Sequence, residues 1–356
     1  MSSAAKVLAA LRAGAPLDEA WAHVDALVEG RAWREVETLF EALDAWTSPD
    51  WVAQAASRRL ACVVALADDA EGARVLVRAL AGRSEGRWGR AVELAEVLAQ
   101  GQRVDVLSAL LPERDQHVEL VARWMHGLVA RGCDLSLEAS CAVFQDELGE
   151  RAHVLAGAPL APSPFERAYR FPRAVKDAVM SASVAPLVHT RDAGALPPVR
   201  SCEGVFEPGA LFPAVRHWNE STASVVTFTE PVGGAPGPRA FSALPFEPLS
   251  GLSLRLRAVP AEAAAARLFS AAAWGGAYGR GDGSAEARVS TAATLGALLG
   301  LEGPHDWARL ADEAAAARWW LFLGTPWFAD VAWDLGLACL RTDHETMVLL
   351  ASTDTD

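Results

Sequence analysis

The sequence predicts an α+β protein: an all-α, helical-repeat-like N-terminal region, then a C-terminal α+β domain with a small, mainly antiparallel sheet. Three observations carry this. Across residues 1–155 apolar residues recur at spacings of three and four, in one short segment after another. Residues 156–166 (AGAPLAPSPFE) are dense in proline and small residues, as linkers are. Beyond them come β-branched and aromatic runs broken by glycine and proline, the residues that strands and tight turns use. The expected organisation is a helical domain 1–155, a linker 156–166 and an α+β domain 167–356.

Val7, Leu8 and Leu11 form the first apolar stripe, and Trp21, Val24, Leu27 and Val28 the second. Asp18 and Glu19 stand at the positive end of that second helix. Trp33, Val36, Leu39, Phe40 and Leu43 form the third stripe. Ser48 followed by Pro49 reads as an N-cap with proline at the first helical position, opening a helix that carries Val52, Leu60, Val63, Val64 and Leu66. Further helices are expected over 71–81, 87–99, 104–111, 114–130 and 136–148. The segments lack coiled-coil heptads and share no signature motif. At roughly 30 to 40 residues per pair they suggest an irregular stack of helical hairpins.

In the second half, a helix over 165–181 would be interrupted by Pro172. Val225–Thr229 is rich in strand formers, and Leu252–Val259 alternates as a half-exposed strand does. Pro260 opens an alanine-rich helix to about Ala273, and helices follow over 285–299 and 304–317. Trp319–Leu323 is a continuous apolar run ended by Gly324, which fits a strand covered on both faces. Ala332–Leu340 and Met347–Ala351 flank the polar turn Arg341–Thr346, which predicts a hairpin beside that strand.

The formal net charge is −13. Nucleic-acid binders draw affinity from phosphate neutralisation, and anionic lipid attracts basic segments, so neither nucleic acid nor membrane is expected as a partner. A protein partner with a basic surface fits the charge. Five cysteines, an odd number without a CxxC pair, predict buried free thiols in a reducing cytoplasm. The N-terminus lacks the apolar core of a signal peptide, and no uninterrupted apolar window is long enough to span a membrane.

The segment with most site character is Trp274–Ser284 (WGGAYGRGDGS), with five glycines in eleven residues. A glycine-rich turn feeding a helix N-terminus can hold an anion. Ser284 would cap that helix, Gly276 would let the backbone approach, Arg280 would add charge, and Tyr278 a stacking face. The pattern matches neither phosphate-loop fingerprint, and a flexible connector is the ordinary reading. The Arg-Gly-Asp triplet, Arg280–Asp282, carries no meaning of its own here. Trp327, Phe328, Trp333 and Asp334 stand at the mouth of the hairpin, where the aromatics line a pocket or fill core. An antiparallel hairpin would return Asp354 to Trp333 and Asp334. Close carboxylates among Asp330, Asp334, Asp354 and Asp356 would hold a metal or work as acid and base, against a solvated terminus as the plain alternative. The eight histidines show no metal-ligand spacing, and His217-Trp218-Asn219-Glu220 reads as polar surface. No nucleophile elbow occurs, and Cys202 has no evident base. No catalytic residue, cofactor or metal is assigned.

The segments 272–301, 319–341 and 349–356 together resemble an uncharacterised family of high-GC bacteria, a domain of unknown function, over about residues 265–356. The resemblance implies one module joining the glycine loop to Trp333–Gly336, and it implies no activity. The function expected is a non-enzymatic interaction or adaptor protein, one version being neutralisation of a basic toxin in a bacterial conflict system. The alternative is an enzyme or small-ligand binder with an anion site between the 274–284 loop and the last hairpin.

Overall fold

A computed structural model describes residues 3–13, 17–46, 51–80, 91–111, 117–151, 153–169, 171, 195–251, 253–276, 281–301, 306–329 and 333–354. Two compact units make up the chain, Met1–Ala156 and Gly157–Asp356.

In the first unit the described residues form α1 (Ser3–Arg12), α2 (Leu17–Glu29), α3 (Trp33–Asp44), α4 (Trp51–Ala65), α5 (Ala70–Leu80), α6 (Ala91–Gly101), α7 (Val104–Leu110), α8 (Val118–Ala130) and α9 (Ala139–Glu150). The apolar stripes become the interior: Val7, Val24, Val36, Leu39, Phe40 and Leu60 are all buried. Helices α1 to α6 each pack on the one two places ahead, so α1, α3, α5 and α7 make one row and α2, α4, α6 and α8 a second. Polar side chains close the exposed helix ends. Asp69 Oδ1 accepts the Glu71 and Gly72 N–H groups that open α5, each at 3.0 Å. Buried Gln102 donates to the Ala65 carbonyl at the end of α4 (2.7 Å) and accepts the Asp69 N–H (3.1 Å). The Ser48–Pro49 cap lies outside the described residues.

The second unit is built on six antiparallel strands in the order β1-β2-β6-β5-β4-β3. They are β1 (Val199–Val205), β2 (Glu220–Phe228), β3 (Arg255–Val259), β4 (Arg318–Leu323), β5 (Asp334–Leu340) and β6 (Thr346–Thr353). The accompanying helices are α10 (Pro208–Leu211), α11 (Pro238–Ser242), α12 (Ala261–Trp274), α13 (Gly283–Leu299) and α14 (Trp307–Ala316). The protein is therefore α+β, as its sequence predicts.

Strand alternation sends successive side chains to opposite faces. On one face Val226, Phe228, Leu256, Trp320, Phe322 and Leu349 form an apolar cluster, covered by Phe241, Leu244 and Phe246 from the connection between β2 and β3. On the other face lie the helices. Trp319 Nε1 donates to the Ala314 carbonyl of α14 at 2.8 Å, and Arg341 Nε to the Leu298 carbonyl of α13 at 3.0 Å. Cover on both sides explains why β5 is buried throughout and β6 is buried from Met347 onward.

The strands expected over Val225–Thr229 and Leu252–Val259 join the hairpin in one sheet, β2 pairing with β6 (Val225 opposite Val348) and β3 with β4; β1, which pairs with β2, is the strand the sequence did not show. β1 reads VRSCEGV and is exposed along nearly its whole length, so it carries no apolar alternation to reveal it. Residues of the proline-rich stretch 156–166 make defined contacts. Pro164 opens a 3₁₀ turn, Pro164–Ala168, in which Phe165 and Glu166 are buried. Glu166 Oε2 accepts the Ser163 N–H at 2.6 Å, and Phe165 stacks on Trp307 with ring centres 5.7 Å apart. Of the helix expected over 165–181, only 165–169 and 171 are described, and Pro172 lies outside.

Cys141 and Cys339 are buried and Cys62 and Cys133 half-buried, whereas Cys202 on β1 is exposed, contrary to the expectation of five buried thiols. Burial pushes the Cys141 thiol up to about 11, and pushes that of Cys339 up further. A thiol reagent applied to native protein near neutral pH should modify Cys202 first and leave Cys141 and Cys339 unmodified until denaturant is added. Mass spectrometry of the labelled peptides checks this, and early labelling of Cys339 would contradict the burial described.

Candidate functional site

Polar residues of the second unit converge where Gly275–Gly276 and Gly281–Gly283, the segment ahead of β2 and the ends of β5 and β6 meet. The loop begins where α12 ends at Trp274, with Gly275 at φ 71°. Its two ends lie against each other: the Asp282 N–H donates to the Ala272 carbonyl at 2.9 Å. A Cβ on Gly281 would fall 2.1 Å from the Ala273 carbonyl oxygen, so only glycine fits there. The helix after the loop starts at Gly283 with Asp282 at the N-cap, so Ser284 is a fully buried residue of the first turn rather than the cap.

The Asp282 side chain leaves the helix end uncapped and turns to the preceding strand connection. Its Oδ1 accepts from Arg216 (2.6 Å) and lies 2.7 Å from His217 Nε2. Ser290 Oγ approaches Oδ2 at 3.5 Å. Arg216 Nε also lies 3.2 Å from His217 Nε2, but that nitrogen cannot accept from arginine while donating to a carboxylate. The carboxylate contact is shorter and opposite in charge character, so the proton is assigned to Nε2, leaving Nδ1 as the acceptor of the neutral ring. The Asp282 side chain is 6% exposed, against 45% for Arg216 and 30% for His217. A buried carboxylate thus fixes two cation-capable groups that both reach solvent. Helix α13 holds this connection from beneath, through the Ala214 N–H to Thr294 Oγ1 at 3.0 Å.

Two residues further on, the Asn219 N–H donates to Asp354 Oδ1 at 3.1 Å. Asp354 is 1% exposed and follows the last residue of β6; its own N–H donates to the Trp333 carbonyl at 3.2 Å. The hairpin therefore returns Asp354 to Trp333 and Asp334. The two carboxylates nevertheless do not pair. Asp334 stands opposite Thr353, and its Oδ1 accepts from Thr353 Oγ1 at 2.6 Å. Asp354 comes one residue later, and its carboxylate packs on the backbone of Gly276. Arg267 of α12 donates to the Asp334 carbonyl at 2.9 Å. Burial holds the Arg267 guanidinium below its usual range, with Asp334 opposing that shift.

Of the residues singled out in the sequence, Gly276, Ser284, Trp333 and Asp334 fall around this convergence, with Trp274 at the loop's start. Trp327 packs against the apolar cluster and meets Phe328 edge-on at 4.9 Å, so its role is core. Tyr278, Arg280, Asp330 and Asp356 lie outside the described residues. Among the described residues no group of three or more His, Cys, Asp or Glu is arranged to hold a metal ion, and no helix is long and apolar enough to cross a membrane. Sequence reasoning read His217 as polar surface and Asp282 as part of a triplet without meaning, and it passed over Arg216. The available signal was a basic pair immediately before a strand, together with an acidic residue closing a glycine-rich loop.

Fold and site together define a two-unit α+β protein with buried carboxylates gathered at one end of an antiparallel sheet. The chain belongs to a family of unknown function, DUF6183, which matches residues 18–356. That match extends the resemblance seen over residues 265–356 to nearly the whole sequence. No curated protein and no solved structure matches the chain.

Proposed function

We propose that residues 157–356 bind a small anionic ligand beside Arg216, His217 and the N-terminus of α13. The observation that carries this reading is the buried Asp282 carboxylate, which spans from the α13 N-cap to Arg216 and His217. A guanidinium offers forked donors to a phosphate or carboxylate, and the helix end adds positive field. His217, oriented by Asp282, has Nδ1 to take a proton from a bound group, the arrangement general bases use. The reading covers both plain binding and proton-transfer catalysis. It places the protein in a reducing cytoplasm and treats its two units as separately folding domains.

A thermal-shift screen against inorganic phosphate, phosphorylated sugars and nucleotides tests it. A ligand at a hundred times its dissociation constant stabilises the fold by about 2.7 kcal/mol. The shift should vanish in Arg216→Ala and weaken in His217→Ala. A shift that persists in both variants, or the absence of a shift with every compound, overturns the anion site.

A second reading is supported by the first unit, where Leu137, Val143 and Val154, within or beside α9, are 90%, 54% and 57% exposed. Exposed large apolar side chains are available for contact with a partner. In this reading they dock a protein partner, and the acidic charge of the chain selects a basic one. Capture of a partner by the full chain, abolished by Leu137→Asp with Val143→Asp, would favour it over the ligand site.

A further inference from the structure

We propose that β1 pairs antiparallel with β1 of a second copy of this chain, about a twofold axis at Cys202, joining two six-stranded sheets into one. The inference stands apart from the anion site, and either can fail alone. Among the described residues β1 ends the sheet and is paired on one side only, with β2. The hydrogen bonds of β2 show which groups of β1 face outward. The Phe228 N–H donates to the Glu345 carbonyl just ahead of β6, and the Thr229 N–H to the Pro198 carbonyl just ahead of β1, at 2.9 Å each. Successive residues of a strand turn their N–H groups to opposite sides, so Thr227, Val225 and Ala223 turn to β1. Opposite them stand Ser201, Glu203 and Val205. Cys202 and Gly204 therefore turn their N–H and C=O groups away from β2, to the open edge.

The occupant is a second copy because β1 complements itself when reversed. With Cys202 opposite Cys202 of the other copy, Ser201 of each meets Glu203 of the other, and the bulged segment Val199–Arg200 lies beside Gly204, Val205 and Phe206. No charge faces its like, whereas an axis at Glu203 would set two carboxylates against each other. Apolar exposure agrees. Among the described residues of the second unit, the large apolar side chains left exposed are Val199, Phe206 and Leu211, at 37%, 95% and 48%. Val199 begins β1 and Phe206 follows its end, so the twofold brings Val199 of each copy toward Phe206 of the other. The opposite edge of the sheet is protected. β3 carries Arg255 and Arg257 at alternate positions and Pro260 after its end, and charge and proline both discourage pairing. Edge pairing joins backbones and leaves side chains on the faces of the sheet, so the Cys202 thiol stays open to reagents.

Sedimentation of the full chain from micromolar to submillimolar protein should show a concentration-dependent species of twice the chain's mass. Physiological salt is used because each copy carries a net charge of −13, whose repulsion must be screened. Gly204→Pro removes an outward N–H that β2 does not use, and a Cβ there meets nothing within 4 Å, so the fold should hold. The variant should weaken dimerisation at least about tenfold, through one bond lost in each copy. Phe206→Asp, at a side chain 95% exposed, should weaken it too without lowering the melting temperature. Dibromobimane, which bridges only neighbouring thiols, should link the two copies in the wild type, since directly opposite Cα atoms stand about 5.5 Å apart. Cys202→Ser should abolish the link and keep the dimer. A monomer at every concentration overturns the proposal, whether the Cys202 amide exchanges fast, as at a bare edge, or slowly, as under a segment of the chain itself. A dimer that survives both Gly204→Pro and Phe206→Asp, or one that dibromobimane links without Cys202, uses another surface and overturns it as well.

Discussion

Replacing Glu166 by alanine is expected to destabilise residues 157–356 by about 3–5 kcal/mol, the largest effect foreseen for a single polar side chain here. Glu166 and Arg288 have side-chain exposures of 1% and 0%. The pair is doubly bonded, Arg288 Nε to Glu166 Oε1 at 2.6 Å and the terminal nitrogen to Oε2 at 3.0 Å. Both terminal nitrogens of Arg288 also donate to the Pro159 carbonyl at 3.2 Å, and its guanidinium stacks 5.5 Å above the ring of Trp307. Removing Glu166 leaves a guanidinium buried in α13 without its counter-charge. Removing both charges is a different experiment: Glu166→Leu with Arg288→Met should restore most of the loss, since an apolar pair of similar volume avoids the desolvation of two ions. Urea unfolding of the full chain, followed by hydrogen exchange within 283–299, measures both variants. A single-variant loss under about 1 kcal/mol would show that the pair is hydrated and behaves as a surface bridge.

Gly276→Ala is expected to cost about 1–3 kcal/mol or more. An added Cβ would lie 1.7 Å from Asp354 Oδ2 and 2.3 Å from its Cγ, so the carboxylate must leave the place that the Asn219 N–H fixes. Residues in direct contact give non-additive effects. In the background of Asp354→Gly, the same Gly276→Ala change should therefore cost at least about 1 kcal/mol less than in the wild type. Thermal unfolding of the four proteins closes the cycle, and additivity within about 0.5 kcal/mol would mean that the two residues do not touch.

Much of the fold is legible in the sequence because its signals are local. The stripes Val24, Leu27, Val28 and Val36, Leu39, Phe40, Leu43 set helix faces by spacing alone, and every one of these residues is buried. The run Trp319–Leu323 announces a strand covered twice, and the Arg341–Thr346 turn announces the hairpin. The turn has a local cause: Asp343 Oδ1 accepts the Glu345 and Thr346 N–H groups at 2.8 Å each. β1 left no such trace. It is a strand by virtue of pairing with β2, through contacts such as Cys202 opposite Val226, and not by its own apolar pattern.

The candidate site was only half legible. The glycine density of 274–284 marks a place where backbone segments approach closely, and the structure shows why at Gly276 and Gly281. His217 looked like surface because its partner, Asp282, lies 65 residues away. The sequence by itself determined the α+β class, the helix faces and the core strands, since each depends on spacing within one turn or one strand. Only the tertiary structure decided the strand order that places β2 beside β6, the burial of Glu166 against Arg288, and the meeting of Arg216, His217, Asp282 and Asp354. Those arrangements depend on hydrogen bonds and charges between residues far apart in the chain, and no local periodicity encodes such a pairing.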